Sequence, residues 1–213
     1  VGIKPLYFSE VKNGIVFSSE IKGLIDVIPN SKKIDRLALV CTCYLGVNVL
    51  RQTLFNGIYK VLPGETIVYS LENKRVKSTF RNLVKPFSRK NLNDEEFYEQ
   101  SMLAINNSAV GIRNFGMFLS GGLDSSIIAL GLKNKLGSLN SFSTIVEPNI
   151  IDEEDYNSDA EIAKMFAEDI ALRHKEIKIT PKIFYENWNQ SIKYIEEPRY
   201  SWNLPMYFFT NKV

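Results

Sequence analysis

Histidine and cysteine are nearly missing. The 213 residues hold one histidine, His174, and two cysteines, Cys41 and Cys43. That set cannot assemble a zinc site of His and Cys ligands. The two thiols stand one residue apart in an apolar helical stretch, so they point in different directions and do not pair. As buried free thiols they suit a reducing cytoplasm. No unbroken apolar run reaches the roughly 18 residues of a membrane-spanning helix, and no signal peptide is visible. A surplus of one charge is missing too. Twenty-six Lys and Arg against 24 Asp and Glu leave a formal charge of +2, spread along the chain, which gives no nucleic-acid footprint. The lysine-type phosphate loop, Gly-x-x-x-x-Gly-Lys-[Ser/Thr], does not occur. Neither does an internal repeat or a low-complexity tract.

What is present is 45% apolar and 23% charged residues, the composition of a soluble globular protein with a real core. One stretch stands out. Phe118-Leu119-Ser120-Gly121-Gly122-Leu123-Asp124-Ser125-Ser126 follows a short apolar run and precedes apolar residues at helical spacing. This is strand, glycine loop, helix start. Adjacent glycines let the backbone turn tightly and approach a ligand. The helix start presents unpaired N–H groups and a partial positive charge, and together these make an anion site of phosphate size. Ser120, Ser125 and Ser126 add hydroxyls. A helix terminus contributes only about 0.3–1 kcal/mol per nearby charge, so a triphosphate also needs directed hydrogen bonds and a divalent cation. Asp124 is the natural ligand for that cation.

Along the chain, Ile3, Leu6, Tyr7 and Phe8 predict a first strand and Ile15-Val16-Phe17 a second, with Lys12-Asn13-Gly14 between them. Ser19–Ile25 predicts a short helical piece. Asp35–Leu45 predicts a helix capped by Asp35 and Gly46, with Leu37, Val40, Cys41, Tyr44 and Leu45 as its apolar stripe. Strands are expected at Tyr59–Leu62, Thr66–Tyr69 and Arg75–Phe80. The basic, irregular residues 81–92 read as a linker. After it, helix and strand alternate. Asn93 with Glu96 and Ser158 with Glu161 are capping boxes that open helices. Asn140–Val146 and His174–Ile179 are strands, and Thr180-Pro181 opens a further helix that ends at Glu196-Glu197-Pro198. Phe184 and Trp188 read as core on that helix. A last helix is expected from Asn203. Strands joined by helices of this length mean a parallel α/β sheet, with its ligand at the carboxyl ends of the strands, where Leu119 and Thr144 fall.

Ser120–Ser126 resembles the pyrophosphate-binding loop of the ATP pyrophosphatases, in the form carried by glutamine-hydrolysing asparagine synthetases. The flanks extend the likeness. Gly2–Tyr7, Phe17–Leu24, and Thr53–Ile58 followed by Leu62–Glu65 resemble the closing strands of that family's N-terminal glutaminase domain. Ser141-Phe142-Ser143 and Glu196-Glu197-Pro198 are similar to later signatures of its synthetase domain. The resemblance implies an adenine-nucleotide α-hydrolase-like synthetase domain over residues 93–213. It implies the β-rich end of an Ntn-type glutaminase domain over residues 1–80, before the linker. It implies ATP and Mg²⁺ as cofactors, glutamine and aspartate as small-molecule substrates, no nucleic-acid or membrane partner, a cytoplasmic location and room for a homodimer. Aspartate would be adenylated with release of pyrophosphate, and ammonia from glutamine would displace AMP. Relatives of the same architecture use other carboxylate acceptors, and bulky Arg199–Trp202 keeps that alternative open.

Residue by residue, the family's pyrophosphate and magnesium contacts fall on Ser120, Gly121, Gly122, Asp124, Ser125 and Ser126, with Asp124 as the metal ligand. Leu119 falls on a backbone contact to the nucleotide. Thr144 falls on an adenine contact where the family usually has Val or Ile. Glu197 is either a substrate-orienting carboxylate or, with Glu196, a charged helix end. Asn114 stands where the family usually has aspartate. The family's glutaminase nucleophile is an N-terminal cysteine, and Val1 is not that residue. Its second phosphate motif would follow Val213. The expectation is therefore an internal piece of a longer enzyme, inactive by itself. His174 reads as a solvated or sheet-edge residue, and Asp152-Glu153-Glu154-Asp155 as a solvated cluster before a helix.

Overall fold

A computed structural model describes residues 3–81, 92–111, 116–147, 157–198 and 210. The linker core, Asn114, the acidic run 152–155, Arg199–Trp202 and nearly all of the last expected helix lie outside those residues. The chain divides into two compact units. One is Val1–Ser88 with Asn189–Asn203, and the other is Arg89–Trp188 with Leu204–Val213.

In the first unit, β1 (Tyr7–Val11) and β2 (Gly14–Ser18) form an antiparallel hairpin in which Tyr7 faces Ser18 and Val11 faces Gly14. The first strand starts later and runs further than its apolar residues suggest, and Ile3 is largely exposed. The short helix α1 (Lys22–Ile25) follows, then α2 (Arg36–Leu45). Strand β3 (Tyr59–Lys60) pairs with β1 to give the order β2-β1-β3. β4 (Glu65–Ser70) and β5 (Arg75–Phe80) make a separate two-stranded sheet. Ile21, Leu24, Ile28 and Ile58 form the core of this unit, with Tyr7, Val11, Val16, Ile25 and Phe55 packed around them.

Helix α2 has the expected caps. The Asp35 carboxylate accepts the Ala38 N–H at 2.9 Å, and Gly46 turns left-handed at φ 72°. Its buried face differs from the expected stripe. Ala38 and Thr42 are buried, whereas Leu37, Val40, Tyr44 and Leu45 are exposed. Cys43 is exposed and Cys41 only half-buried, so the expectation of buried thiols is corrected. The small residues, four apart, allow the closer approach, and the large ones are left on the other sides of the helix.

The second unit opens with α3 (Asp94–Ser108). Its capping box is formed in both directions, Glu96 N–H to Asn93 Oδ1 at 2.8 Å and Asn93 N–H to Glu96 Oε2 at 3.1 Å. Then come β6 (Gly116–Phe118), α4 (Leu123–Leu136), β7 (Asn140–Val146), α5 (Ser158–Asp169), β8 (Arg173–Ile179) and α6 (Pro181–Ile195), of which Pro181–Trp188 belongs to this unit and the rest to the first. The three strands make a parallel sheet in the order β6-β7-β8. This is the α/β architecture that the strand–helix alternation predicts. Leu119, Leu132 and Leu139 pack with Ala109, Ala129, Ala163 and Ala167. A second cluster joins Ile177 and Ile179 to Phe142, Ile183 and Phe184. The alanines keep the helices thin where they meet the leucines.

Two expectations about this unit change. The cap of α5 is Asn157 rather than Ser158, and the Asn157 amide bonds both the N–H and the C=O of Val146 at 2.9 Å. That double bond ties the start of α5 to the end of β7 and moves Ser158 into the first turn. Trp188, expected as core, is 43% exposed and touches Phe184 edge-on at 5.5 Å between ring centroids. No helix among the described residues is long and apolar enough to cross a membrane.

Candidate functional site

Strand β6 stops at Phe118, opposite Phe142, while β7 runs four residues further. The chain leaving β6 therefore turns at the carboxyl edge of the sheet, beside the protruding end of β7. Leu119 fixes that exit. It is 1% exposed, and its N–H donates to the Phe142 carbonyl at 2.8 Å. The next residue, Ser120, is exposed.

Gly121 makes the turn. Its φ is +80°, in the left-handed region that side chains disfavour. It also lies against the first turn of α5. A Cβ there would be 2.3 Å from the Asp159 carbonyl oxygen and 3.1 Å from the Ala163 nitrogen. Gly122 differs. It is extended, at φ −75° and ψ 160°, and forms the N-cap of α4. A Cβ on it would meet only Ser120 Oγ, at an ordinary 3.5 Å. The fold thus requires one of the two glycines, and the second leaves an open surface at the helix start.

The serines form a small network around that start. Ser120 and Ser125 share a hydrogen bond between their hydroxyls at 3.0 Å, and the Ser120 N–H points to Ser125 Oγ at 3.3 Å. Ser125 and Ser126 donate to the Gly122 carbonyl at 3.0 and 2.9 Å. The first main-chain bond of the helix runs from the Ser126 N–H to that same carbonyl at 3.1 Å. The N–H groups of Leu123, Asp124 and Ser125 precede it and have no acceptor within the helix. Leu123 and Asp124 are exposed, so donors and carboxylate face outward at one helix end. Among the described residues no group of three or more His, Cys, Asp or Glu could hold a metal ion. Asp124 stands as a single carboxylate beside N–H and hydroxyl donors. This set suits an anion that brings its own oxygen ligands to a shared cation.

Thr144 lies on the extension of β7, beside Ile177 of β8 and half-buried. By strand alternation it shares a face with Phe142. His174 lies on β8, the last strand in the order, and its ring bridges two serines of β7. Nδ1 is 3.0 Å from Ser141 Oγ and Nε2 3.1 Å from Ser143 Oγ. Burial pushes its pKa below the usual histidine value, Lys164 adds to that, and Glu176 and Glu168 oppose it.

Glu197 belongs to the first unit. It is 7% exposed; Oε1 accepts from Asn48 Nδ2 at 3.1 Å, and Oε2 pairs with Lys60 Nζ at 3.0 Å. Glu196, at φ 61°, accepts the N–H groups of Ile21 and Lys22 with its two oxygens, each at 2.7 Å. Neither partner set was legible beforehand, since about 150 residues separate the groups in sequence and no spacing rule connects them.

The family model for asparagine synthase matches residues 102–213, and that for the glutamine amidotransferase domain matches residues 1–80. The chain is 27% identical over 220 residues to asparagine synthetase (glutamine-hydrolyzing) 1 of Bacillus subtilis, covering 100% of this chain and 33% of that protein. It is 26% identical over 151 residues to the putative asparagine synthetase (glutamine-hydrolyzing) 2 of Methanocaldococcus jannaschii, covering 68% of this chain and 29% of that one. The chain thus spans about a third of the length of these curated relatives. Among solved structures, an NH3-dependent NAD synthetase from Campylobacter jejuni is similar at 22% identity and a TM-score of 0.36, over 47% of this chain and 42% of that one. With the synthase model matching more than half of its residues, and the strand, glycine loop and helix lying within that match, the chain belongs to the asparagine synthase family.

Proposed function

We propose that this chain carries the ATP-binding loop of a glutamine-hydrolysing asparagine synthetase together with the end of its glutaminase domain. Residues 1–80 belong to the glutaminase part, 81–92 to the linker and 93–213 to the synthetase part. The observation that carries the reading is Gly121. Held left-handed against α5, it delivers the chain from the sheet edge straight into the open N-terminus of α4.

In this reading the loop grips the pyrophosphate end of ATP. The N–H groups of Leu123, Asp124 and Ser125 and the α4 dipole face the phosphate oxygens. The Ser120 and Ser125 hydroxyls, already paired with each other, turn their protons to the ligand. Gly122 lets the phosphate approach the backbone. The Leu119 main chain and Thr144 border the nucleoside. Aspartate's side-chain carboxylate attacks the α-phosphorus, the bond to pyrophosphate breaks, and ammonia released from glutamine displaces AMP from the adenylate. Donors placed where charge develops favour departure of the pyrophosphate. Mg²⁺, for which Asp124 is the protein ligand, supplies further charge neutralisation when bound. The location in this reading is cytoplasmic, with room for a homodimer.

Calorimetric titration of ATP into the chain, with and without Mg²⁺, tests the loop. Saturable uptake that needs Mg²⁺ is expected, and absence of uptake overturns the reading. Charge-assisted hydrogen bonds contribute about 1.5–3 kcal/mol each, so Ser125→Ala should weaken binding by about tenfold or more. Aspartate-dependent exchange of labelled pyrophosphate into ATP, by a protein containing both halves, tests the acceptor. Exchange that responds to another carboxylate and ignores aspartate would reassign it.

A further inference from the structure

The geometry points to Tyr194–Glu197 as a docking element in cis, an acidic turn that the glutaminase-like residues bind through the Ile21 and Lys22 N–H groups, Asn48 and Lys60. All of these groups lie in one compact unit, although Tyr194–Glu197 falls within the stretch matched by the synthase model and the rest within the stretch matched by the amidotransferase model. Four separate interactions converge there. The Glu196 carboxylate takes two main-chain N–H groups at 2.7 Å. Lys22 Nζ stands 4.5 Å from the centre of the Tyr194 ring. Glu197 is buried with each oxygen engaged, one by Asn48 and one by Lys60. Lys60 also donates to the Asn48 carbonyl at 3.0 Å, so the cation and the amide are fixed to each other.

Glu196 also closes α6, its N–H donating to the Ile192 carbonyl at 3.0 Å. Glu196 is left-handed at φ 61°, a conformation uncommon for a residue with a side chain. Such a residue persists where its surroundings over-determine it, and here two hydrogen bonds to one carboxylate do so. A left-handed residue is ordinary at a helix end, but a charged end exposed to water would not need the buried partners of Glu197. The recognised chemistry is a pair of adjacent carboxylates, one read by main-chain donors and the next by an ammonium and an amide. A consequence is that the glutaminase-like fold is not closed by its own contiguous residues, and takes its last piece from beyond the linker.

Amide hydrogen exchange on the full 213-residue chain tests this without nucleotide, so its outcome is independent of the ATP reading. Glu196→Ala should speed exchange at Ile21 and Lys22 by about tenfold or more, while Leu119 and Glu147, whose N–H groups bond just past the ends of the parallel strands, keep their protection. Unchanged exchange at Ile21 and Lys22 would overturn the assignment. A charge exchange covers the case in which a single variant does not fold. Lys60→Glu and Glu197→Lys should each lower the melting temperature, and the two together should recover at least half of the loss. Losses that simply add, or a double variant unfolded where the singles fold, would overturn it. Lys60→Arg, which keeps the cation, should retain the protection that Lys60→Met loses.

Discussion

Gly121 lies so close to Asp159 that a Cβ on the glycine would be 2.3 Å from the aspartate's carbonyl oxygen. The contact joins the loop after β6 to the first turn of α5, and it separates the two neighbouring glycines by role. Gly121→Ala should disrupt the fold of this unit, because a left-handed φ and a backbone clash both oppose it. Gly122→Ala should fold with a melting temperature close to that of the parent, yet bind ATP at least tenfold more weakly, since its cost falls on the approaching phosphate. Thermal melts paired with ATP titration distinguish the two.

Asp124→Asn keeps the shape of the first turn of α4 and removes the charge. Mg²⁺-dependent enhancement of ATP binding should then fall by about tenfold or more while the melt is unchanged. An enhancement that survives the substitution would remove Asp124 as the metal ligand.

His174 gives stability a pH dependence. Burial lowers its pKa below 6.5 in the folded state, so the unfolded chain binds the proton more readily. The contribution is fully present above about pH 6.5 and is lost as pH falls through the lower folded value. Melts between pH 8 and pH 5 should show this decline, and His174→Asn should flatten it.

Glu65 acts in a more acidic window. Burial, the largest single influence, pushes its carboxyl up, but hydrogen bonds from Ser78 and the Leu62 N–H, with the Arg51 charge, together hold it below 4.5. Its contribution is present above pH 4.5 and is lost as pH falls through the folded value. Glu65→Gln should lower stability at neutral pH and remove that part of the acid-side slope. Urea titrations at pH 7 and pH 3.5 provide the comparison.

Asp35 caps α2 through the Ala38 N–H. Losing such a cap costs about 0.5–2 kcal/mol, so Asp35→Ala should lower the urea midpoint with no effect on nucleotide binding.

Much of this was legible from local chemistry. Caps such as Asn93 with Glu96, the αL glycine at Gly46 and the Pro181 helix start depend on residues three or four apart, and they appear where expected. The shape of the glycine loop was legible for the same reason, since strand, glycines and helix start are contiguous. The misses arose where a distant partner decides. Hydrophobic periodicity weights large side chains, and on α2 it pointed to Leu37 and Val40 instead of the small, buried Ala38 and Thr42. Ser158 lost its cap position because Asn157 is held by Val146, eleven residues earlier. The partners of Glu196 and Glu197 were invisible because sequence distance carries no rule for which cation or N–H a carboxylate will find.

The β4–β5 hairpin pairs with no other strand among the described residues, and Val68 and Phe80 on it are more than half exposed. An isolated two-stranded ribbon is only marginally stable in water, and its outer margins offer hydrogen-bonding groups to any passing chain. On warming, this ribbon should fray before the parallel sheet melts, and it is where clumping between molecules would begin. A lysine in place of Val68 would be a direct way to keep concentrated preparations clear.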